Sequence, residues 1–349
     1  MAVTMSDVAR IAGVSKTTVS RVLNGKPDVD DVTAARIRRI VAETRYTPSA
    51  RAVSLAKGQA KTVGMLVPSL MWPWMADVLQ GAVDVLEVQG YGLLLYTMTR
   101  GAESLATFAA QVSSSSFDGL LVIEPPNTLE YISSLYRGGL PVVLIDDRGH
   151  HPEFPSVVTT NALGGEQAAT HLLESGRRHL AMISGPLEYG CTTDRTRGFL
   201  LCAENSGAPV DPALVVLGDF TESGAFTATT ALLRSGKTFD GLFAHNDLMA
   251  IGAMRALRGE GVAIPDDVAV VGFDDIPTAA HTEPPLTTVR QPSREIAATA
   301  ARTLLSMLDG AAVAASPIVL STSVVVRRSA PASPTAPVSH IAKRRRVNG

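Results

Sequence analysis

From residue 62 onward the chain alternates two signals, and this alternation restricts its fold more than any other feature. TVGMLVP (62–68) is an unbroken apolar run closed by turn residues, the pattern of a parallel strand buried on both faces. A helical stretch from about Met75 to Gln89 follows, then GLLLY (92–96), a helix around 103–115, GLLVIE (119–124), a helix near 128–137 and PVVLID (141–146). A second series starts after VVTTN (157–161) with a helix at 161–175, HLAMIS (179–184), a helix near 192–206 and LVVLGD (214–219). It continues through a helix at 222–235, DGLFAH (240–245), a helix at 246–260 and VAVVGFD (268–274). Strands joined by crossover helices lie parallel and are covered on both faces, so each series predicts one doubly wound parallel sheet. TTVRQP (287–292), a helix at 293–308 and PIVLSTSVVV (317–326) are too few for a third unit and are expected to return to the first sheet. The α/β core therefore spans 62–328, with one lobe at about 62–159 and 290–326 and the other at about 160–289.

The first 46 residues carry a different period. TMSDVARIAGVSKTTVSRVLNG (4–25) reads as a helix, a tight turn and a second helix. Thr4 can cap the first helix with Asp7 near its exposed amides. Val8, Ala9 and Ile11–Ala12 form its apolar face, and Gly13 permits the turn of an αα corner. Ser15 can cap the second helix, whose Val19, Val22 and Leu23 face inward while Lys16, Thr17, Ser20 and Arg21 point out. That is the disposition of a recognition helix. Asp30 can cap a third helix through Arg45, with Ile37, Ile40 and Val41 as its stripe. The expected head is thus all-α. YTPSARAVSLAKGQAK (46–61) follows as a linker containing a short helix-forming stretch, too short to be stable without a partner.

Net charge is −2 for the whole chain, yet its distribution is uneven. Residues 1–61 hold 11 Lys+Arg against 5 Asp+Glu, residues 327–349 hold 6 basic residues and no acid, and the middle holds 14 basic and 28 acidic. A basic head on an acidic body fits a polyanion partner for the head alone. Cys191 and Cys202, eleven apart in one predicted helix, have neither disulfide nor metal-ligand geometry. No secretory signal and no apolar run of membrane-spanning length is present, so a cytoplasmic protein without a membrane partner is expected. The segment 329–349, Pro/Ala/Ser-rich and then basic (KRRR at 343–346), is expected to be a disordered tail. It lacks apolar heptads, so no tetramerising helix is expected.

In MSDVARIAGVSKTTVSRVLNG, the Y-x-P hinge with its following S-L-A, HNDLMAIGAMRAL, and VVGFDDI with PPLTTVRQP, the chain resembles the LacI/GalR (lactose-repressor) family over residues 4–327. The resemblance implies a helix-turn-helix head (1–46), a hinge helix (47–61) and a core like the periplasmic sugar-binding proteins. It also implies a homodimer on double-stranded operator DNA with an inverted repeat, switched by a small molecule in the cleft. Lys16, Thr17 and Arg21 fall on the family's base-reading positions. Arg21 can bridge guanine O6 and N7, Lys16 can donate to guanine or to phosphate, and Thr17 offers a methyl to thymine or a hydroxyl. Thr4, Ser15 and Ser20 suit capping or phosphate contacts. Leu55 sits where the family wedges a leucine between base pairs; the alternative is packing on the partner hinge helix. Ser49 and Ala50 depart from the usual asparagine-rich start of that hinge.

Ligands of open α/β sheets bind beyond the carboxyl ends of strands. That rule selects Asp146, Asn246 and Asp274. Arg195 matches the arginine that family members place in the cleft, and Phe220 and Trp74 match positions of ligand-covering aromatics. Two carboxylates, an amide and a guanidinium are suited to vicinal hydroxyls, which favours a sugar effector. Trp72 fits a pocket wall and a surface position equally, His245 a ligand donor and a structural histidine equally, and Asp274 or Asp275 can cap a helix. Met75 replaces an aromatic common in the family and points to a differently shaped pocket. Signatures for phosphate loops, dinucleotides, metalloproteases and serine hydrolases are missing, so neither cofactor, metal nor catalytic residue is assigned. The alternatives are a non-sugar corepressor on the same core and a sugar-acting enzyme using Asp146 and Asp274.

Overall fold

The computed structural model describes residues 3–23, 25–46, 60–113, 116–123, 128–146 and 153–332. Leu55, Ser49, Ala50 and the rest of the expected hinge helix, together with the basic tail beyond residue 332, lie outside the described residues. The chain divides near Lys61–Thr62 into two compact units.

The head is three helices, α1 (Met5–Ala12), α2 (Lys16–Leu23) and α3 (Asp31–Thr44). Thr4 and Asp7 form the expected capping box: Thr4 Oγ1 accepts the Asp7 N–H at 3.3 Å, and the Thr4 N–H donates to Asp7 Oδ2 at 3.0 Å. Gly13 ends α1 in the left-handed region, φ 67°. Ser15 Oγ accepts the Thr18 N–H at 3.1 Å, and Asp30 Oδ1 accepts the Thr33 N–H at 2.9 Å. Val8, Ala9, Ala12, Val19, Val22, Ala34, Ile37, Ile40 and Tyr46 fill the small core. Ile11, expected on the inner face, is half exposed, because α1 turns Val8 and Ala12 inward one turn apart and leaves their neighbour outside.

The core holds two six-stranded sheets. The first contains β1 (Thr62–Val67), β2 (Gly92–Thr97), β3 (Gly119–Ile123), β4 (Val142–Ile145), β5 (Ser156–Thr159) and β11 (Ile318–Leu320), in the order β11-β5-β4-β3-β1-β2 and all parallel. The second contains β6 (Leu180–Ser184), β7 (Val215–Leu217), β8 (Gly241–Ala244), β9 (Ala269–Asp274), β10 (Thr287–Arg290) and β12 (Ser323–Val325), in the order β12-β10-β9-β8-β6-β7. Only the β10–β12 pair is antiparallel. Eight helices complete the lobes: α4 (Met75–Val88), α5 (Ala102–Ser113), α6 (Leu129–Arg137), α7 (Asn161–Glu174), α8 (Gly190–Asn205), α9 (Glu222–Arg234), α10 (Asp247–Gly259) and α11 (Ser293–Leu308). The central strands are buried along their length, as the unbroken apolar runs require.

The C-terminal segment departs from expectation. Thr287–Arg290 pairs with β9 in the second sheet, not the first, and only α11 and β11 return to the first lobe. PIVLSTSVVV is not one strand: it breaks at Ser321–Thr322, and β12 joins the second sheet. The chain therefore crosses between lobes three times, at residues 159–161, 290–293 and 321–322. The tail also begins later than expected. Ser329 and Ala330 are buried; Ser329 Oγ donates to Val270 O at 2.6 Å, and Ala330 O meets His171 Nε2 at 2.7 Å. Among the described residues no helix is long and apolar enough to cross a membrane.

Candidate functional site

Between the carboxyl ends of the two sheets lies a cleft lined among the described residues by Trp72, Trp74, Asp146, Cys191, Arg195, Phe220, Asn246, Asp274 and Gln291. It brings together all six side chains expected there. Three of those six, Asp146 (φ 54°), Phe220 (φ 63°) and Asp274 (φ 109°), stand in the left-handed region, and so does Asp275 (φ 62°). Such backbone is uncommon for non-glycine residues, most of all for a bulky one, and persists only where surrounding bonds hold it.

Those bonds run in separate sets, two of them at crossovers between the lobes. Asn161, at the first crossover, donates from Nδ2 to Asp146 Oδ1 at 2.9 Å, and its Oδ1 accepts from Arg195 Nε at 2.9 Å. Arg195 Nη1 donates to the His245 carbonyl at 2.5 Å, and its guanidinium carbon lies 3.5 Å from the centre of the Phe273 ring. Among the described residues Nη2 makes no hydrogen bond, which leaves it open to a ligand. Asp274 Oδ1 accepts from Gln291 Nε2 at 2.7 Å, at the second crossover. Burial pushes the Asp274 carboxyl up to about 7; Arg195 opposes that shift and the Asp146 carboxylate adds to it. At neutral pH this group both donates and accepts.

Several expectations are refined. Asn246 caps α10, its Oδ1 accepting the Met249 N–H at 2.8 Å, while Nδ2 donates to Phe220 O at 3.1 Å and pins the Phe220 turn. Only its second amide hydrogen is left for a ligand. His245 is structural: fully buried, its Nδ1 accepts the Gly185 N–H at 3.1 Å, and burial with Arg195 nearby holds its pKa well below the usual value. Neither Asp274 nor Asp275 caps a helix. Asp275 accepts from Arg290 Nε and Arg327 Nη2, each at 2.6 Å, and the Ile276 N–H goes instead to Asp247 Oδ2 at 2.8 Å. Met75 belongs to the first-lobe core, against which Trp72 and Trp74 pack, and does not itself line the cleft. Trp72 is a wall. Its ring stacks on Trp74 with centroids 6.2 Å apart and meets Tyr189 and Phe220 of the second lobe edge-on at 5.5 and 6.0 Å. Gln291, Asn161, Cys191 and Tyr189 were not anticipated; Gln291 follows a strand end, so the rule that selected Asp274 also points to it.

In the head, Lys16, Thr17 and Arg21 are exposed on α2 and Ser20 is half-buried. The hydroxyls of Thr4 and Ser15 serve as helix caps. Arg21 Nη1 pairs with Asp28 Oδ2 at 3.0 Å, an exposed contact worth at most about 1 kcal/mol that a nucleic acid can displace. Among the described residues no cluster of His, Cys, Asp and Glu could hold a metal ion.

The family of bacterial regulatory proteins of the lacI type matches residues 4–49, and the periplasmic binding protein-like domain matches residues 169–330. The HTH-type transcriptional repressor PurR of Aliivibrio fischeri is 32% identical over 308 residues, which cover 87% of this chain and 91% of that protein. The structure of the transcriptional regulator CelR with cellobiose is 31% identical, with a TM-score of 0.72, over 94% of this chain and 99% of that one. The lac repressor dimer bound to operator and the anti-inducer ONPF is 27% identical, with a TM-score of 0.86, over 95% and 100%. With its three-helix head, its two-sheet core and these relatives, the chain belongs to the LacI family of ligand-responsive, DNA-binding transcriptional regulators.

Proposed function

We propose that the protein is a repressor that binds an inverted-repeat operator as a homodimer and is switched by a sugar-like effector in the cleft. The observation that carries the effector class is the cleft itself: Asp146, Arg195 and Asp274 converge beneath the rings of Trp72, Trp74 and Phe220. Carboxylates and a guanidinium suit hydroxyls, and aromatic faces suit the apolar face of a pyranose. The CelR–cellobiose complex supports a sugar effector for a protein of this fold, and the operator-bound lac repressor dimer supports binding to operator as a dimer. Lys16, Thr17 and Arg21 are the base readers, with Thr4, Ser15 and Ser20 positioning the helices on phosphates. Leu55 is the minor-groove wedge.

Ligand that prefers one relative orientation of the lobes shifts the population of the DNA-competent dimer. The test combines a sugar panel, read by tryptophan fluorescence, with binding to the DNA flanking the protein's own gene. A sugar that saturates the fluorescence and changes DNA affinity supports the reading; saturating sugar without any change in DNA affinity refutes the switch. Leu55→Ala is expected to weaken operator binding and reduce DNA bending, measured by gel shift on permuted duplexes. Unchanged affinity and bend would remove the wedge assignment.

A further inference from the structure

Helix α7 and β12, the outermost strand of the second sheet, enclose a groove of about 360 Å³. Leu163, Glu166, Thr170 and Glu174 recur at spacings of three and four and so form one stripe of α7, and Val324 of β12 completes the lining. Most polar side chains of the groove are engaged within the fold. Gln167 Nε2 donates to Thr322 O at 3.2 Å, Thr170 Oγ1 meets Cys202 Sγ at 3.3 Å, and His171 Nε2 meets Ala330 O at 2.7 Å. Glu166 and Glu174 are the exceptions. Both are exposed, and among the described residues neither makes an ion pair or a side-chain hydrogen bond. Leu163, also exposed, adds an apolar patch beside them. Two carboxylates and aliphatic side chains, with no Lys or Arg in the lining, repel phosphate and suit a peptide that combines cations with aliphatic residues.

The chain supplies such a peptide at this place. The described residues end at Ala332, two residues beyond Ala330, whose carbonyl touches the groove wall at His171. The sequence that follows includes VSHIAKRRRV (338–347), four consecutive cations with aliphatic neighbours and no acid. The eleven residues from Ala332 to Lys343 reach up to about 36 Å, whereas Glu166 and Glu174 lie about 12 Å apart along α7. A tether of that length holds the cations at a local concentration on the order of millimolar, so contacts of at most about 1 kcal/mol each suffice together.

We infer that this groove is the docking site of the chain's own C-terminal segment, with Lys343–Arg346 against Glu166 and Glu174 and the neighbouring aliphatic residues on Leu163 and Val324. Docked, the four cations are withheld from DNA phosphates; released, they add to sequence-independent binding. The segment thereby restrains the protein's own non-specific affinity for DNA.

The first test treats the full-length protein with a carbodiimide at low ionic strength, which joins a lysine amine to a carboxylate in contact with it. A subunit-exchanged mixture of ordinary and heavy-isotope-labelled chains is used, and the linked peptides are mapped by mass spectrometry. Lys343 is expected to couple to Glu166 or Glu174 within one isotope class. Mixed-isotope peptides would assign the groove to the segment of a second copy and overturn the inference; so would coupling of Lys343 elsewhere, or none. The second test measures binding to random-sequence duplex DNA. Glu166→Gln combined with Glu174→Gln is expected to tighten it about threefold to tenfold and to steepen its salt dependence. That gain should vanish when Lys343, Arg344, Arg345 and Arg346 are all replaced by Gln. An absent gain, or an equal gain in the background without the four cations, would trace the effect to net charge alone and overturn the inference.

Discussion

The Asp274 carboxyl lies between Gln291, Arg195 and Asp146, and burial raises its pKa to about 7. A group whose folded pKa exceeds its ordinary value of 3.8 binds more protons in the folded than in the unfolded chain between those two values. Stability therefore falls as pH rises from about 4 to about 7 and is level above that. Asp247, fully buried and facing Asp274, is shifted in the same direction. Asp274→Asn should consequently raise the melting temperature at pH 8 relative to the unsubstituted protein and flatten part of its decline between pH 5 and 7. Ligand affinity should fall in the same variant. Thermal unfolding across that range checks the prediction; a variant destabilised as much at pH 8 as at pH 5 would contradict it. At this scale Asp146, Asn246 and Asp274 are legible in the sequence, because each follows an apolar run at a strand's carboxyl end. Asn161 is not. Its role depends on two lobes meeting at a crossover, which no local pattern encodes.

Helix α8 carries Arg195 and Cys191 into the cleft, and its position rests on close packing against α7. A Cβ at Gly198 would collide with the Ala162 backbone carbonyl, next to Asn161. Gly198→Ala should therefore push α8 from α7, stretch the Asn161–Arg195 bond, and destabilise the protein by about 1–3 kcal/mol. Ligand affinity should fall with it, as isothermal titration would show; unchanged affinity would mean that α8 is positioned by other contacts. In the head, Ser15→Ala removes the cap of α2 and should cost about 1 kcal/mol of head stability, read from thermal unfolding followed by far-UV dichroism. The elements themselves were largely legible from apolar run lengths and helical spacing. PIVLSTSVVV was not, because a strand of three residues is assigned to a sheet by its neighbours rather than by its own pattern. Val324 and Val325 pair with β10 only because the chain turns at Ser321–Thr322. Thr322 is held there by a 2.9 Å bond from its N–H to Thr160 Oγ1.

Taken as a whole, the core has two lobes joined at three crossovers, and two of these carry cleft partners: Asn161 at the first and Gln291 at the second. Cleft occupancy and lobe orientation therefore share the same hydrogen bonds. The chain's two tryptophans, Trp72 and Trp74, both line the cleft, so intrinsic fluorescence reports ligand without a label. The predicted signal is a saturable change in emission that Phe220→Ala weakens, since the Phe220 ring lies 6.0 Å from that of Trp72. The coupling between cleft and DNA is tested most directly by titrating the flanking operator DNA by fluorescence anisotropy, with and without saturating ligand. Ligand is expected to change the DNA Kd by about tenfold, and operator to change the ligand Kd by the same factor, as linkage demands. Equal DNA affinities with the cleft empty and full would contradict it.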